Sequence, residues 1–114
     1  MTDVNERSVP SRSLEDIELD IIEAFKQVYD PEIPVNIYDL GLIYNLQVNP
    51  DRTVRILMTL TTPNCPAAGI LPGQVEMAAR SVDDVEDARV DLTFNPPYTM
   101  DMMSDEARLE LGFL

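Results

Sequence analysis

Histidine does not occur in this chain, and cysteine occurs once, at Cys65. Without an imidazole the chain cannot by itself supply a His-ligated zinc site, a Ser-His-Asp triad or a Cys-His dyad. A single thiol forms no internal disulfide, which suits a reducing compartment, so a cytoplasmic location is expected. Basic residues are scarce too: eight Lys and Arg stand against 21 Asp and Glu, a formal charge of −13. A field of that sign repels nucleic acid and anionic membranes, and neither is expected as a partner. No apolar run reaches the roughly 18 residues of a membrane span. The first ten residues, MTDVNERSVP, have neither the basic region nor the apolar stretch of a secretory signal.

What remains fits one small domain. A chain of 114 residues supports a single core, and 45% hydrophobic residues suffice to fill it. Residues 1–13 are polar and aperiodic and read as a flexible tail, leaving 14–114 as the domain. Ser13, with Asp16 three residues on, approximates a capping box. Leu14, Ile17, Ile21, Phe25 and Val28 then recur at spacings of three and four, which predicts a helix over 14–28, ended before Pro31. The segment 30–40, DPEIPVNIYDL, carries two prolines and reads as an ordered loop lying across the core.

Alternation of Leu42, Tyr44, Leu46 and Val48 with Asn45 and Gln47 predicts a strand over 41–48. Asn49-Pro50-Asp51-Arg52 is a turn, and Val54, Ile56, Met58 and Leu60 form a second strand paired back as a hairpin. Pro66 and Pro72 each suit a first helical position. They predict a short helical turn at 66–70 and a main helix over 72–81, burying Val75, Met77 or Ala78, and Ala79; one kinked helix is the alternative. Ala88, Val90, Leu92 and Phe94 alternate as a third strand, stopped by Asn95-Pro96-Pro97. After a methionine-bearing loop, Ser104 caps a short helix over 105–111 with Gly112 as its stop. The order α-β-β-α-β-α predicts a two-layer α+β domain, its helices packed mainly on one face of a three-stranded sheet.

The chemistry points to the stretch TLTTPNCP, Thr59 to Pro66. A cysteine just before Pro66 occupies the N-cap of whatever helical turn follows, where free N–H groups stabilise a thiolate. The competing reading is a buried thiol acting as a small hydrophobe. One thiolate cannot hold an iron-sulfur cluster, which needs about four such donors. The remaining donors would come from a second copy of the chain or from a partner. Asp30, Glu32 and Asp39 are candidate carboxylates, and hairpin geometry should bring Asp39 near Cys65; turn and helix-end chemistry equally explains Asp30 and Glu32. Met100, Met102 and Met103 suit packing better than copper binding.

Five motifs in order carry a resemblance: Asp30-Pro31-Glu32; Asp39-Leu40-Gly41-Leu42; Thr59 through Pro66; Asn95-Pro96-Pro97; and Met103-Ser104-x-x-Ala107-Arg108-x-x-Leu111-Gly112. Together they resemble the SufT-like family of metal-sulfur cluster assembly proteins, a domain similar to the PaaD subunit of phenylacetyl-CoA oxygenation systems and to the eukaryotic cytosolic iron-sulfur targeting factor. Tyr98 stands where such proteins usually have tryptophan. The resemblance implies a non-enzymatic accessory factor that helps mature or deliver iron-sulfur clusters, with Cys65 as a transient metal or cluster ligand and no tightly bound cofactor. It further implies that Asp39, Glu32, Thr61, Asn64 and Pro66 shape the site, and that Tyr98, Met103 and Arg108 form an interaction surface for scaffold or client proteins. An adaptor with a structural cysteine, or a homodimer, fits the same resemblance.

Overall fold

The apolar spacing of the first helix is realised in a computed structural model of the protein, which describes residues 13–31, 33–61 and 69–112. Helix α1, Leu14–Phe25, buries Ile17, Ile21 and Phe25, and Ser13 caps it by accepting from the Asp16 N–H at 3.1 Å. It ends three residues earlier than its periodicity predicts. The Val28 carbonyl accepts from the Ile37 N–H at 2.8 Å, and Tyr29 bridges to Asn36, so a closed loop takes the last turn out of the helix.

That loop also holds an element the prolines hid. Ile37–Leu40 is a one-turn helix, α2, capped by the Asn36 side chain and stopped by Gly41 at φ 86°. Strand β1 therefore begins at Ile43 and runs to Val48, two residues later than expected. Strand β2, Thr53–Met58, pairs antiparallel with it as the hairpin pattern requires. A register shift between Ile43 and Asn45 makes Tyr44 the extra residue of a bulge, which sets Ile43, not Tyr44, against the core.

Helix α3, Leu71–Arg80, starts one residue before Pro72 and buries Leu71, Val75 and Ala79. Ala78 packs partly on the core, and Met77 is 69% exposed. Of the expected helical turn at 66–70, residues 66–68 lie outside the described residues. Strand β3, Asp87–Leu92, pairs parallel with β2, so β2-α3-β3 is a crossover unit and the sheet order is β1-β2-β3. It stops short of Phe94. A 3-10 turn at Met100–Met102 precedes α4, Asp105–Glu110, whose cap Ser104 accepts from the Ala107 N–H at 3.1 Å.

The core lies between the helices and one face of the sheet. Val54, Ile56 and Met58 point into it, while Arg55 and Leu57 on the alternate positions face outward. The expected α+β architecture, three strands with helices on one face, is the one observed.

Candidate functional site

The strand directions gather one end of the sheet. Because β2 and β3 are parallel and β1 is antiparallel to β2, the start of β1 and the carboxyl ends of β2 and β3 lie together. The Thr59 N–H donates to the Leu42 carbonyl at 2.8 Å, and the Thr93 N–H donates to the Met58 carbonyl at 2.9 Å, tying the three chain segments beyond the strands. From this end β2 leaves through buried Leu60 and half-buried Thr61 into the crossover that carries Cys65. In mixed and parallel sheets the carboxyl ends of the strands are where ligands bind, since connecting loops converge there without a covering layer.

Asn64, Cys65 and Pro66, and Glu32 in the preceding loop, lie outside the described residues. The turn that Cys65 is expected to cap begins at Pro66, outside the described residues, and the N-cap of α3 is Ile70, with no side chain bonding its first turn. Asp39 sits in α2 on the same sheet end, reached through Leu40 to Leu42. Its carboxylate accepts from the Asn36 amide at 2.8 Å while its own N–H donates to the Asn36 side-chain oxygen at 2.8 Å. Its carbonyl accepts from the Ser104 N–H at 2.8 Å, which joins α2 to the start of α4. Asp30 is buried and accepts from the Ile33 N–H at 3.1 Å, the turn chemistry that was its alternative reading. Among the described residues no group of three or more Cys, Asp or Glu is arranged to hold a metal ion.

The three residues expected at an interaction surface fall differently. Met103 is 9% exposed and belongs to the core cluster. Tyr98 packs on that cluster and donates its hydroxyl to the Leu40 carbonyl at the end of α2. Burial, with Tyr44 and Asp30 adding to it, pushes the Tyr98 phenol up to about 12. Arg108 is half-buried, reaching Asp101 at 3.8 Å and the Met100 carbonyl at 3.4 Å. Two positions that sequence reasoning passed over also build this end. Asn36 is the α2 cap, legible in hindsight as Asn36-x-x-Asp39 followed by Gly41. Tyr44, turned outward by the bulge, donates to the Pro96 carbonyl at 2.8 Å and approaches the Met102 sulfur at 3.4 Å.

Comparison with known proteins bears on what such a sheet end serves. Residues 18–92 match the family described as "Iron-sulfur cluster assembly protein". The chain belongs to this family. Two relatives are similar over most of their length, a third over about a quarter of its own. An Fe-S protein maturation auxiliary factor of Porphyromonas gingivalis is 57% identical over 97 residues, covering 85% of this chain and 92% of that protein. The Fe-S protein maturation auxiliary factor SufT of Staphylococcus aureus is 35% identical over 85 residues, 75% of this chain and 97% of its own. An iron-sulfur cluster carrier protein of Mycobacterium tuberculosis is 32% identical over 96 residues, which span 84% of this chain but 23% of the carrier. Among solved structures, a DUF59 domain of Bacillus anthracis superposes with a TM-score of 0.80 at 32% identity, covering 88% of this chain and 95% of that one. The resemblance read from the five motifs is thus the family found.

Proposed function

We propose that the protein is a non-catalytic accessory factor in the assembly or delivery of iron-sulfur clusters, with Cys65 as a transient ligand whose cluster is completed by another protein's donors. The observation that carries this is the position of the β2-α3 crossover: in a family of cluster assembly proteins, the chain's one thiol is borne on the connection that leaves the carboxyl end of β2. A lone thiolate supplies one of about four donors, so the chain alone is an incomplete site and a hand-over geometry follows. Asp39, fixed by Asn36, contributes a carboxylate at the same sheet end. The partner class is a cluster carrier, scaffold or client. In support, the matching region forms about a quarter of a protein named a cluster carrier. Such traffic belongs in a reducing cytoplasm, where a free thiol persists.

The test is Cys65→Ser in the otherwise intact protein, with folding checked by circular dichroism and a cluster-dependent enzyme assayed in cells under iron limitation. Enzyme activity should fall to the level of a strain lacking the protein. Activity equal to that with the unchanged protein removes the thiol from the mechanism and leaves the adaptor reading.

A further inference from the structure

The two edges of the sheet are built differently. Strand β3 is sealed: the Glu76 carboxylate accepts from the Val90 N–H at 3.0 Å, Arg80 donates to the Ala88 carbonyl at 2.9 Å, and the two side chains pair with each other at 3.4 Å. The Ala88 N–H is taken by the Asp87 side chain at 2.9 Å. Three of the six residues of β3 are charged. These are the means by which folded proteins keep an edge strand from pairing with another chain.

Strand β1 has none of them along its central part. From Ile43 to Asn49 there is no charged residue and no proline, in a chain where 25% of residues are charged. The Asn49 N–H bonds the Thr53 carbonyl at 2.9 Å, so by alternation residues 45, 47 and 49 turn their backbone groups toward β2, and Leu46 and Val48 turn theirs outward. Among the described residues, nothing bonds those outward groups. The side chains of Leu46 and Val48 are only half-buried, packed against the rim of the core.

We propose that β1 is a self-association edge, through which two copies of the chain pair β1 against β1, antiparallel, into one six-stranded sheet. The sequence is self-complementary for this. Centred on Gln47, the pairing sets Leu46 of each copy opposite Val48 of the other, forming four backbone hydrogen bonds from the groups left open. The outer face then carries Gln47 opposite Gln47 and Asn45 opposite Asn49, carboxamides that can donate and accept across the junction. A two-fold axis there is the commonest symmetry of homo-oligomers. It also places the two β2-α3 crossovers at opposite ends of the joint sheet, so each copy presents its own site end to a client. The inference does not depend on the cluster reading.

Charge separates this occupant from the alternative, an extended basic segment of another protein. Two chains of −13 repel at long range, so self-pairing through an uncharged strand strengthens as salt screens them; pairing with a basic segment weakens. Sedimentation of the full chain over a range of concentrations and salt reads this directly. We expect a monomer–dimer equilibrium that shifts toward dimer with added salt, with Leu46 and Val48 amides protected from hydrogen exchange only in the dimer. Gln47→Lys should raise the dissociation constant about five-fold, because it opposes two like charges across the axis. It does so although it lowers the net charge, which by itself favours association. Gln27→Lys, the same charge change in the turn beyond α1, should not weaken the dimer. A monomer under every condition, or a dimer indifferent to Gln47→Lys, overturns the proposal. So does association that weakens with salt, or that leaves the Leu46 and Val48 amides open.

Discussion

Gly41 meets two demands at once. Its φ of 86° lies in the left-handed region, and a Cβ built on it would stand 2.1 Å from the Met102 carbonyl oxygen, a backbone atom that cannot swing aside. It stops α2 and lets the 3-10 turn close over the site end in one place. Gly41→Ala should therefore cost roughly 3 kcal/mol or more, combining the conformational penalty with displacement of the turn. Urea unfolding monitored by circular dichroism measures it, and a loss below about 1 kcal/mol would show that the turn yields freely. Tyr98, close by, carries a different signature. Its phenol is raised from the ordinary 10.0 to about 12, burial being the largest cause. Since the folded value lies above the unfolded one, this residue's contribution to stability is whole below pH 10 and is lost as pH rises from 10 to 12. Tyr98→Phe, which also forfeits the hydrogen bond to Leu40, should cost about 1 kcal/mol at pH 7 and flatten the alkaline loss. A stability curve for Tyr98→Phe that still falls as steeply over that pH range would place the titration on another tyrosine.

At the scale of elements, capping residues decided more than periodicity did. Ser13, Ser104 and Gly112 stand where the sequence signals put them, because a cap is a local exchange between a side chain and the nearest free N–H groups. The alternation of β2 was equally legible: its buried and exposed residues follow the period of two. What was not legible depended on partners distant in sequence. The early end of α1 is set by Ile37 binding the Val28 carbonyl, and the outward turn of Tyr44 by a bulge whose hydroxyl reaches Pro96, 52 residues on. The parallel pairing of β3 is likewise a crossover property that no alternation encodes. Helix α2 was hidden for another reason. Two prolines before it argued against helix, and four residues are too few to show a period, yet Asn36 and Gly41 mark both its ends. Of the candidate site, Cys65 was the one residue chemistry could single out, whereas the link between Asp39 and Ser104 required the fold. Asn36→Ala is expected to cost about 1 kcal/mol and to raise hydrogen exchange at the Asp39 amide, which it leaves unpaired. Unchanged protection of that amide would mean that packing, not the cap, holds α2.

On the scale of the whole molecule, apolar burial works against like charge. One core of side chains from all three strands and α1, α2, α3 and α4 holds together a chain of formal charge −13, and five of the twelve residues of α1 are acidic. Four of the described cations pair with acids: Arg80 with Glu76 and Asp87, Arg55 with Asp91, Lys26 with Glu23 and Arg108 with Asp101. These pairs are largely exposed, and pairs of that kind contribute little. Acids still outnumber cations, 21 to eight, and their mutual repulsion is an unfavourable term that the folded state concentrates and the unfolded chain relaxes. Raising salt from about 0.01 M to about 0.15 M shortens the screening length from roughly 30 Å to roughly 8 Å, removing repulsion across the domain while leaving the close pairs mostly intact. The melting temperature at pH 7 should then rise, by about 4 °C for each kcal/mol of repulsion relieved. Near the isoelectric pH of about 4.1 the same change of salt should leave it almost still. Calorimetry at dilute protein, where β1 edges stay unpaired, separates this from association. A melting temperature at pH 7 that falls with salt would mean that the few ion pairs, and not the excess of acid, govern the electrostatics of the fold.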